Sequence, residues 1–163
     1  MRQTIDSTDA KILTLIQSDA SLSVADIAEQ VGLSSSPCWR RIKRMEEAGI
    51  ITGRVTLLDR SALGLGFEVI ANVKLALPSR ENLETFEALV DGWPEVMECM
   101  TVTGGVDYVI RIGTTDMKAY DAFLRDRLLG SGLVSDVQSR IVMNVSKRTT
   151  ALPLGLVDEA PGA

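Results

Sequence analysis

Ser23-Val24-Ala25-Asp26-Ile27-Ala28-Glu29-Gln30-Val31-Gly32-Leu33-Ser34-Ser35-Ser36-Pro37-Cys38-Trp39-Arg40-Arg41-Ile42-Lys43-Arg44-Met45 decides the reading of the first third of this chain. Ser23 is a helix cap, and Asp26 three residues later completes a capping-box pattern. Val24, Ile27, Ala28 and Val31 then share one helix face. Gly32 stands where a helix stops, and Leu33 plugs the core beneath it. Ser36 is read as the next cap, with Pro37 in the first helical position, where a missing N–H does no harm. That helix runs to Gly49. At 100° per residue, Cys38, Ile42 and Met45 turn into the core. Ser36, Arg40 and Lys43 then face outward, with Trp39 and Arg44 on the flanks. Small Ala28 where two helices cross, followed by Gly32 in the turn, gives a helix-turn-helix spacing.

The charge on this last helix gives the motif a chemistry. From Ser34 to Arg44 there are four cations and no acid. Arg pairs in a bidentate way with guanine edges, while Lys and Ser reach phosphates. Ser34, Ser35 and Ser36 sit at a helix N-terminus, where unpaired N–H groups suit a phosphate. Trp39 fits three roles at this point: a core plug, a packing residue beside phosphates, or a contact between copies. Cys38 reads as a small buried apolar residue rather than a redox switch. The plain alternative is a three-helix core with no ligand.

Working outward, Asp6 caps a first helix with Ile12, Leu13, Leu15 and Ile16 on its apolar side. Ile50 to Leu58 reads as extended, a wing and a connecting strand, and residues 61–66 as a small-residue hinge. Beyond it the period changes. Phe67, Val69, Ala71, Val73 and Leu75 alternate with polar neighbours, as in a strand. Leu83, Phe86, Leu89 and Val90 repeat at helix spacing. Val96–Thr103 and Val106–Ile112 are two extended runs joined at Gly104-Gly105, a hairpin signal. Met117, Tyr120, Phe123, Leu124 and Leu128 stripe a second helix, and Val134–Val145 is a last strand with Arg140 on its polar side. The order βαββαβ is the ferredoxin-like split-βαβ arrangement. The fold class is therefore α+β: a winged helix-turn-helix at 1–52, a linker strand and hinge at 53–66, a βαββαβ domain at 67–151, and a tail at 152–163 that is loose from Ala160 onward.

Composition narrows the function classes. The chain has 163 residues and a net charge of −5, but residues 1–54 hold seven basic and seven acidic side chains. The excess acid thus lies in the second domain, which leaves the reading helix a local basic stripe. Histidine is absent, which removes Ser-His-Asp and Cys-His nucleophiles and histidine metal ligation. Two cysteines, Cys38 and Cys99, make neither a disulfide framework nor a zinc ribbon. No run is long and apolar enough for a membrane span, and the N-terminus is unlike a signal peptide, so a cytoplasmic location is expected. No cofactor loop or metal site is present, and the chain is not read as an enzyme. An Asp107–Tyr108 acid/base pair on a ferredoxin-like fold is the enzymatic alternative.

Several of these stretches together resemble the Lrp/AsnC, or feast/famine, regulators. The resemblance runs through residues 5–13, Val31–Cys38, Arg40–Glu46, Gly49–Ile51, Val102–Tyr108 and Lys147–Leu154. It implies a transcription regulator that binds double-stranded DNA through the N-terminal domain. It further implies a C-terminal domain that senses a small effector, usually an amino acid, between subunits, in a homo-oligomer of two to eight copies. The residues here suit that role on their own chemistry. Asp107 can pair an ammonium, and the N–H groups about Gly104 and Gly105 admit a carboxylate closely because no Cβ intervenes. Thr101, Thr103, Val106 and Tyr108 complete the candidate pocket, and Arg140 is a second carboxylate partner. Gly105 and Arg140 depart from the residues common in the family. A hairpin turn with a solvated Asp107, in an effector-independent architectural oligomer, is the competing reading.

Overall fold

A computed structural model describes residues 5–157. The contacts divide the chain into two compact units, 5–57 with 147–157, and 58–146. In the first unit, three helices, α1 (Ser7–Ser18), α2 (Val24–Val31) and α3 (Ser35–Glu47), enclose one core. Both expected capping boxes are present. Asp6 accepts from the Asp9 N–H and Asp9 answers to the Asp6 N–H, and Ser23 and Asp26 do the same for α2. Ile12, Leu13 and Ile16 of α1 pack on Ile27 and Ala28 of α2 and on Cys38, Ile42 and Met45 of α3. Of the core positions named from the sequence, Leu15, Val24, Val31 and Leu33 are partly buried against this core and the others are buried.

Three local readings change. The cap of α3 is Ser34, not Ser36, so Pro37 takes the third helical position rather than the first. Any first-turn position suits proline, since none of those N–H groups has a partner within the helix. Residues 52–59, expected to include a connecting strand, are in no strand among the described residues. Residues 147–157, expected to be the end of the second domain and a tail, pack with the first unit. The reason is specific. Gln17 donates to the Leu152 carbonyl at 3.0 Å and accepts from the Leu152 N–H at 2.9 Å. Leu154, opening a short 3-10 turn, then packs against the first core. The reading of 160–163 as loose lies outside the described residues.

The second unit is a four-stranded antiparallel sheet in the order β2-β3-β1-β4. Its strands are β1 (Phe67–Leu75), β2 (Val96–Thr101), β3 (Tyr108–Thr114) and β4 (Val134–Ile141). Helices α4 (Arg80–Asp91) and α5 (Met117–Phe123) follow β1 and β3, which completes βαββαβ. Val69, Ala71, Val73 and Leu75 of β1, with Tyr108, Ile110 and Ile112 of β3, bury one sheet face against Phe86, Val90, Trp93, Tyr120 and Phe123. Pairs at staggered and edge-on angles, such as Phe86–Trp93 and Trp93–Phe123, fill that layer. α5 continues into a π-helical turn, Leu124–Leu129. That winding places Leu128, five residues after Phe123, in the same core. The last strand ends at Ile141, four residues short of expectation; Met143, on its expected apolar side, is exposed.

The caps make the fold sensitive to acid. The Asp9 N–H and then the Arg41 guanidinium hold Asp6 below the ordinary 3.8. Ser23 does the same to Asp26, and the Ala119 N–H to Asp116. Each carboxylate binds its proton less readily folded than unfolded. Its contribution is therefore complete above 3.8 and is lost as pH falls through the lowered values. Urea midpoints should hold on descending from neutral pH and then drop steeply towards about pH 3. A midpoint that rises or stays level through that interval contradicts the assignment.

Candidate functional sites

The turn between α2 and α3 is tightly drawn. Gly32 takes a left-handed conformation (φ 72°) that a side chain would strain, and its N–H is bonded back to Ala28 and Glu29. The Leu33 N–H also returns to the Ala28 carbonyl at 2.8 Å. Ala28 is only 2% exposed, as a close helix crossing requires. Ser34 then enters α3 in extended conformation and makes no side-chain cap bond. The N–H groups of Ser35 and Ser36 thus face outward uncapped, on an exposed tripeptide, at the positive end of the helix.

The four cations of α3 separate into two pairs. Arg41 bonds Asp6 at 2.6 Å and Asp9 at 2.9 Å, while Arg44 bonds the second oxygen of Asp9 at 2.5 Å. Asp9 is 1% exposed, so one buried carboxylate of α1 anchors two turns of the reading helix. Arg44, read from the sequence as a flanking DNA contact, spends its charge largely on that anchor. Arg40 is exposed and makes no ion pair among the described residues, and exposed Lys43 reaches only Glu46, at 3.7 Å. Trp39 is 54% exposed, which removes the core-plug role and leaves the two surface ones. The Asp6/Asp9–Arg41/Arg44 cluster is the feature the sequence reading missed. The only local signal is the Asp6…Asp9 capping pair, and nothing in the periodicity points across the intervening residues to α3.

The second candidate site lies between β2 and β3. The connection is a six-residue turn, 102–107, wider than a Gly-Gly hairpin. Gly104 has φ 125°, a conformation open to glycine alone. The Val102 N–H bonds the Asp107 carbonyl, and the Asp107 N–H bonds the Val73 carbonyl, both at 3.0 Å. One Asp107 carboxylate oxygen accepts from the Leu75 N–H at 2.8 Å, so that side chain closes the end of β1. Thr101, Thr103, Gly104 and Gly105 are exposed, and Val106 is half-buried beside Asp107. Tyr108 is fully buried, turned into the core against Phe86 with its hydroxyl donating to Glu87 at 2.9 Å. Burial first, then the Glu87 carboxylate, pushes its pKa well up, so it is a fixed neutral phenol. Arg140 pairs in register with Ile70, three residues along β1 from Val73, roughly 10 Å of strand away. One copy therefore gathers 101–107 at the turn and leaves the Tyr108 side chain and Arg140 apart from it.

Among the described residues no helix is long and apolar enough to cross a membrane. Nor does any cluster of three or more Cys, Asp or Glu suited to a metal ion occur there. Two family descriptions match nearly the whole chain: a winged helix-turn-helix DNA-binding domain over residues 5–52 and an Lrp/AsnC ligand-binding domain over 68–152. The DNA-binding transcriptional activator DecR of Escherichia coli is 41% identical over 92% of this chain and 99% of its own. The transcriptional regulator AzlB of Bacillus subtilis is 37% identical over 92% of this chain and 96% of its own. A Neisseria meningitidis transcriptional regulator, solved as its L-Met complex, superposes with TM-score 0.91 at 39% identity, covering 94% and 99% of the two chains.

Replacing Asp9 by Asn keeps its shape and removes its charge. The two arginines are partly exposed, so solvent recovers part of the loss. Urea denaturation should show a cost of about 1–3 kcal/mol. A variant as stable as the parent would mean that packing alone orients α3.

Proposed function

We propose, on the premise that the chain belongs to the Lrp/AsnC family of transcription regulators, that its α3 reads an operator through Arg40 and Lys43 while a small amino acid at the 102–107 turn modulates the binding. The observation that carries the DNA half is the division of charge on α3. Asp9 and Asp6 occupy Arg41 and Arg44, while Arg40 and Lys43 stay exposed on the face opposite the core. Arg40 is placed for a base edge and Lys43 for a phosphate, with Ser34, Ser35 and Ser36 offering backbone N–H groups to a neighbouring phosphate. Trp39, beside Arg40, supplies an apolar surface against the duplex, and Arg44 contributes its field more than a contact. The protein acts in the cytoplasm, where the DNA is.

A homo-oligomer of at least two copies fits the same reading. The sheet face away from α4 and α5 presents Ile70, Val109 and Met100 among charged neighbours. An uncovered sheet face of this kind calls for a partner layer. Dimerisation also doubles the contacts of a short reading helix and sets the half-site spacing.

For the effector, the support is the exposed Gly104-Gly105 backbone beside the Asp107 carboxylate, together with the L-Met complex of the Neisseria relative. A second copy would have to bring Arg140, or another cation, to the turn. Effector binding then favours one arrangement of copies and shifts the spacing of paired reading helices. One observation favours a second reading, an effector-independent architectural oligomer: Asp107 already accepts from Leu75 and so has a structural duty.

Two experiments separate these. In a salt series with operator DNA, Arg40→Ala/Lys43→Ala should weaken binding by about 1–3 kcal/mol for the base-reading arginine. It should also lower the salt slope by about 0.9 per lost phosphate contact. Unchanged affinity and slope would remove α3 as the reader. A thermal-shift screen over the proteinogenic amino acids should find a stabilising ligand. That ligand should change DNA affinity roughly 5–150-fold. Asp107→Asn, which keeps an acceptor for Leu75, should abolish the response and spare effector-free DNA binding. If no amino acid alters stability or DNA affinity, the architectural reading stands.

A further inference from the structure

Helix α3 carries an acid–cation cluster on each flank, and the two differ in burial. On the flank towards α1, Asp9 is 1% exposed and holds Arg41 and Arg44. On the other flank Trp39, Lys43 and Glu46 follow at spacings of four and three, which sets them on one side of the helix. There one Glu46 oxygen takes Arg54 Nη1 at 3.1 Å, and the other faces Lys43 Nζ at 3.7 Å. The Glu46 side chain is 30% exposed, and those of Arg54 and Lys43 are 43% and 49% exposed. Ion pairs open to solvent in this way contribute little to stability, and 3.7 Å is too long for a hydrogen bond. The first cluster is therefore a fixture of the fold, and the second is exchangeable.

Helix stability does not explain Glu46. It stands in the last turn of α3, where the helix dipole favours cations and opposes an acid. What it does is gather two cations from different parts of the chain about one carboxylate: Lys43 of α3 and Arg54 of the segment that follows. Arg54 also lines a cleft with Ser23, at the start of α2, and Ile42 of α3. Asp19, another wall of that cleft, accepts from the N–H and hydroxyl of Ser21, and the acid that Arg54 pairs with is Glu46. One negative charge shared over two oxygens, with a cation on each, is also how a backbone phosphate of DNA is held.

We propose that Glu46 is a specificity-determining residue that stands in for a DNA phosphate. It occupies Lys43 and Arg54 while the protein meets arbitrary DNA, and yields them to a backbone phosphate once Arg40 is seated on its base edge. The proposal rests on α3 as the reader and adds Arg54 to the cations that meet the duplex. Specificity is a difference of affinities, so an element that lowers the wrong affinity more than the right one raises it. Binding to arbitrary DNA is almost wholly electrostatic and loses most to a competing carboxylate. On the operator, base contacts fix the duplex against α3. A phosphate held beside Lys43 and Arg54 then competes with Glu46 at high effective concentration. Asp9 has no such part, since its burial keeps Arg41 and Arg44 out of the exchange.

Fluorescence anisotropy of the full chain over a salt series tests it on two duplex probes of equal length. One is selected on the wild-type protein from a random-sequence library, and the other is the unselected library. Glu46→Gln keeps the shape of the side chain and removes its charge. It should tighten binding to the unselected library roughly three- to tenfold and steepen the salt slope by about 0.9 per freed cation and bound copy. The selected duplex should gain less, so the ratio of the two affinities should fall. Arg54→Gln should lower the slope on the selected duplex by about 0.9 per bound copy and leave the library near its wild-type affinity. Wild-type slopes and affinity ratio in Glu46→Gln overturn the proposal. So does weaker binding to both probes with a lower urea midpoint, which would make Glu46 a structural ion pair. Arg40→Ala/Lys43→Ala separates the two failures. If that variant loses the selected duplex while Glu46→Gln behaves as wild type, only the stand-in fails. If it binds the selected duplex unchanged, α3 is not the reader and the stand-in falls with it.

Discussion

One carboxylate sets the geometry of the DNA-reading unit. Asp9 is shut off from solvent, and its two oxygens are taken by Arg44 and Arg41, one each. A charge buried to that degree is tolerable only when paired and hydrogen-bonded, and here its partners come from a different helix. Asp9 also answers the Asp6 N–H in the capping box, so the same group fixes where α1 starts and how α3 lies across it. The rotation of α3 about its own axis follows. With Arg41 and Arg44 held towards α1, and Cys38, Ile42 and Met45 in the core, Arg40 and Lys43 point away from the core, Lys43 reaching only Glu46 of its own helix. The outward presentation of these two cations is thus a consequence of where the other two are spent.

The sensor unit depends on a comparable economy of backbone. Strand β1 is central, paired with β3 on one side and β4 on the other, and so has no spare edge. Both its ends are closed by charged side chains: Asp107 accepts from Leu75 at one, and Glu68 is held by Arg60 at the other. The candidate effector turn sits at the Leu75 end. Strand ends are where the ladder leaves polar groups to be answered by side chains, and where backbone can approach a ligand without breaking a sheet.

Periodicity carried most of the fold. The helix faces of α1, α2 and α3 and the buried side of β1 follow from geometry that every helix or strand obeys, so residues such as Ile42 and Val73 could be placed from spacing alone. What spacing could not reach is non-local or degenerate. Three consecutive serines can each cap α3, and proline fits any first-turn position, so the cap was misplaced by two residues. The width of the 102–107 turn is set by bonds from Asp107 to Val73 and Leu75, more than thirty positions away, which Gly104-Gly105 do not announce. Gln17 and Leu152 are 135 positions apart, so the return of the chain to the first unit is equally silent. At the candidate sites the residue types were legible and their duties were not. Arg44 and Tyr108 are chemically suited to ligands and are occupied by Asp9 and Glu87 instead.

That difference between suitability and availability bears on how such a protein reaches an operator. Four cations on α3 suggest strong electrostatic binding by one copy. With two of them neutralised by Asp6 and Asp9, each reading helix offers Arg40, a partly engaged Lys43 and the backbone N–H groups at its start. On the proposed contacts few phosphates are neutralised per copy, and the rest of the chain is net acidic, so the proposal gives a single unit low affinity for arbitrary DNA. In the proposed oligomer, affinity comes from several reading helices on one duplex, each adding its modest term at a fixed spacing. Weak single contacts summed over copies also make binding responsive to a ligand. A small change in the spacing of copies forfeits a whole half-site, whereas a tightly bound single unit would barely register it.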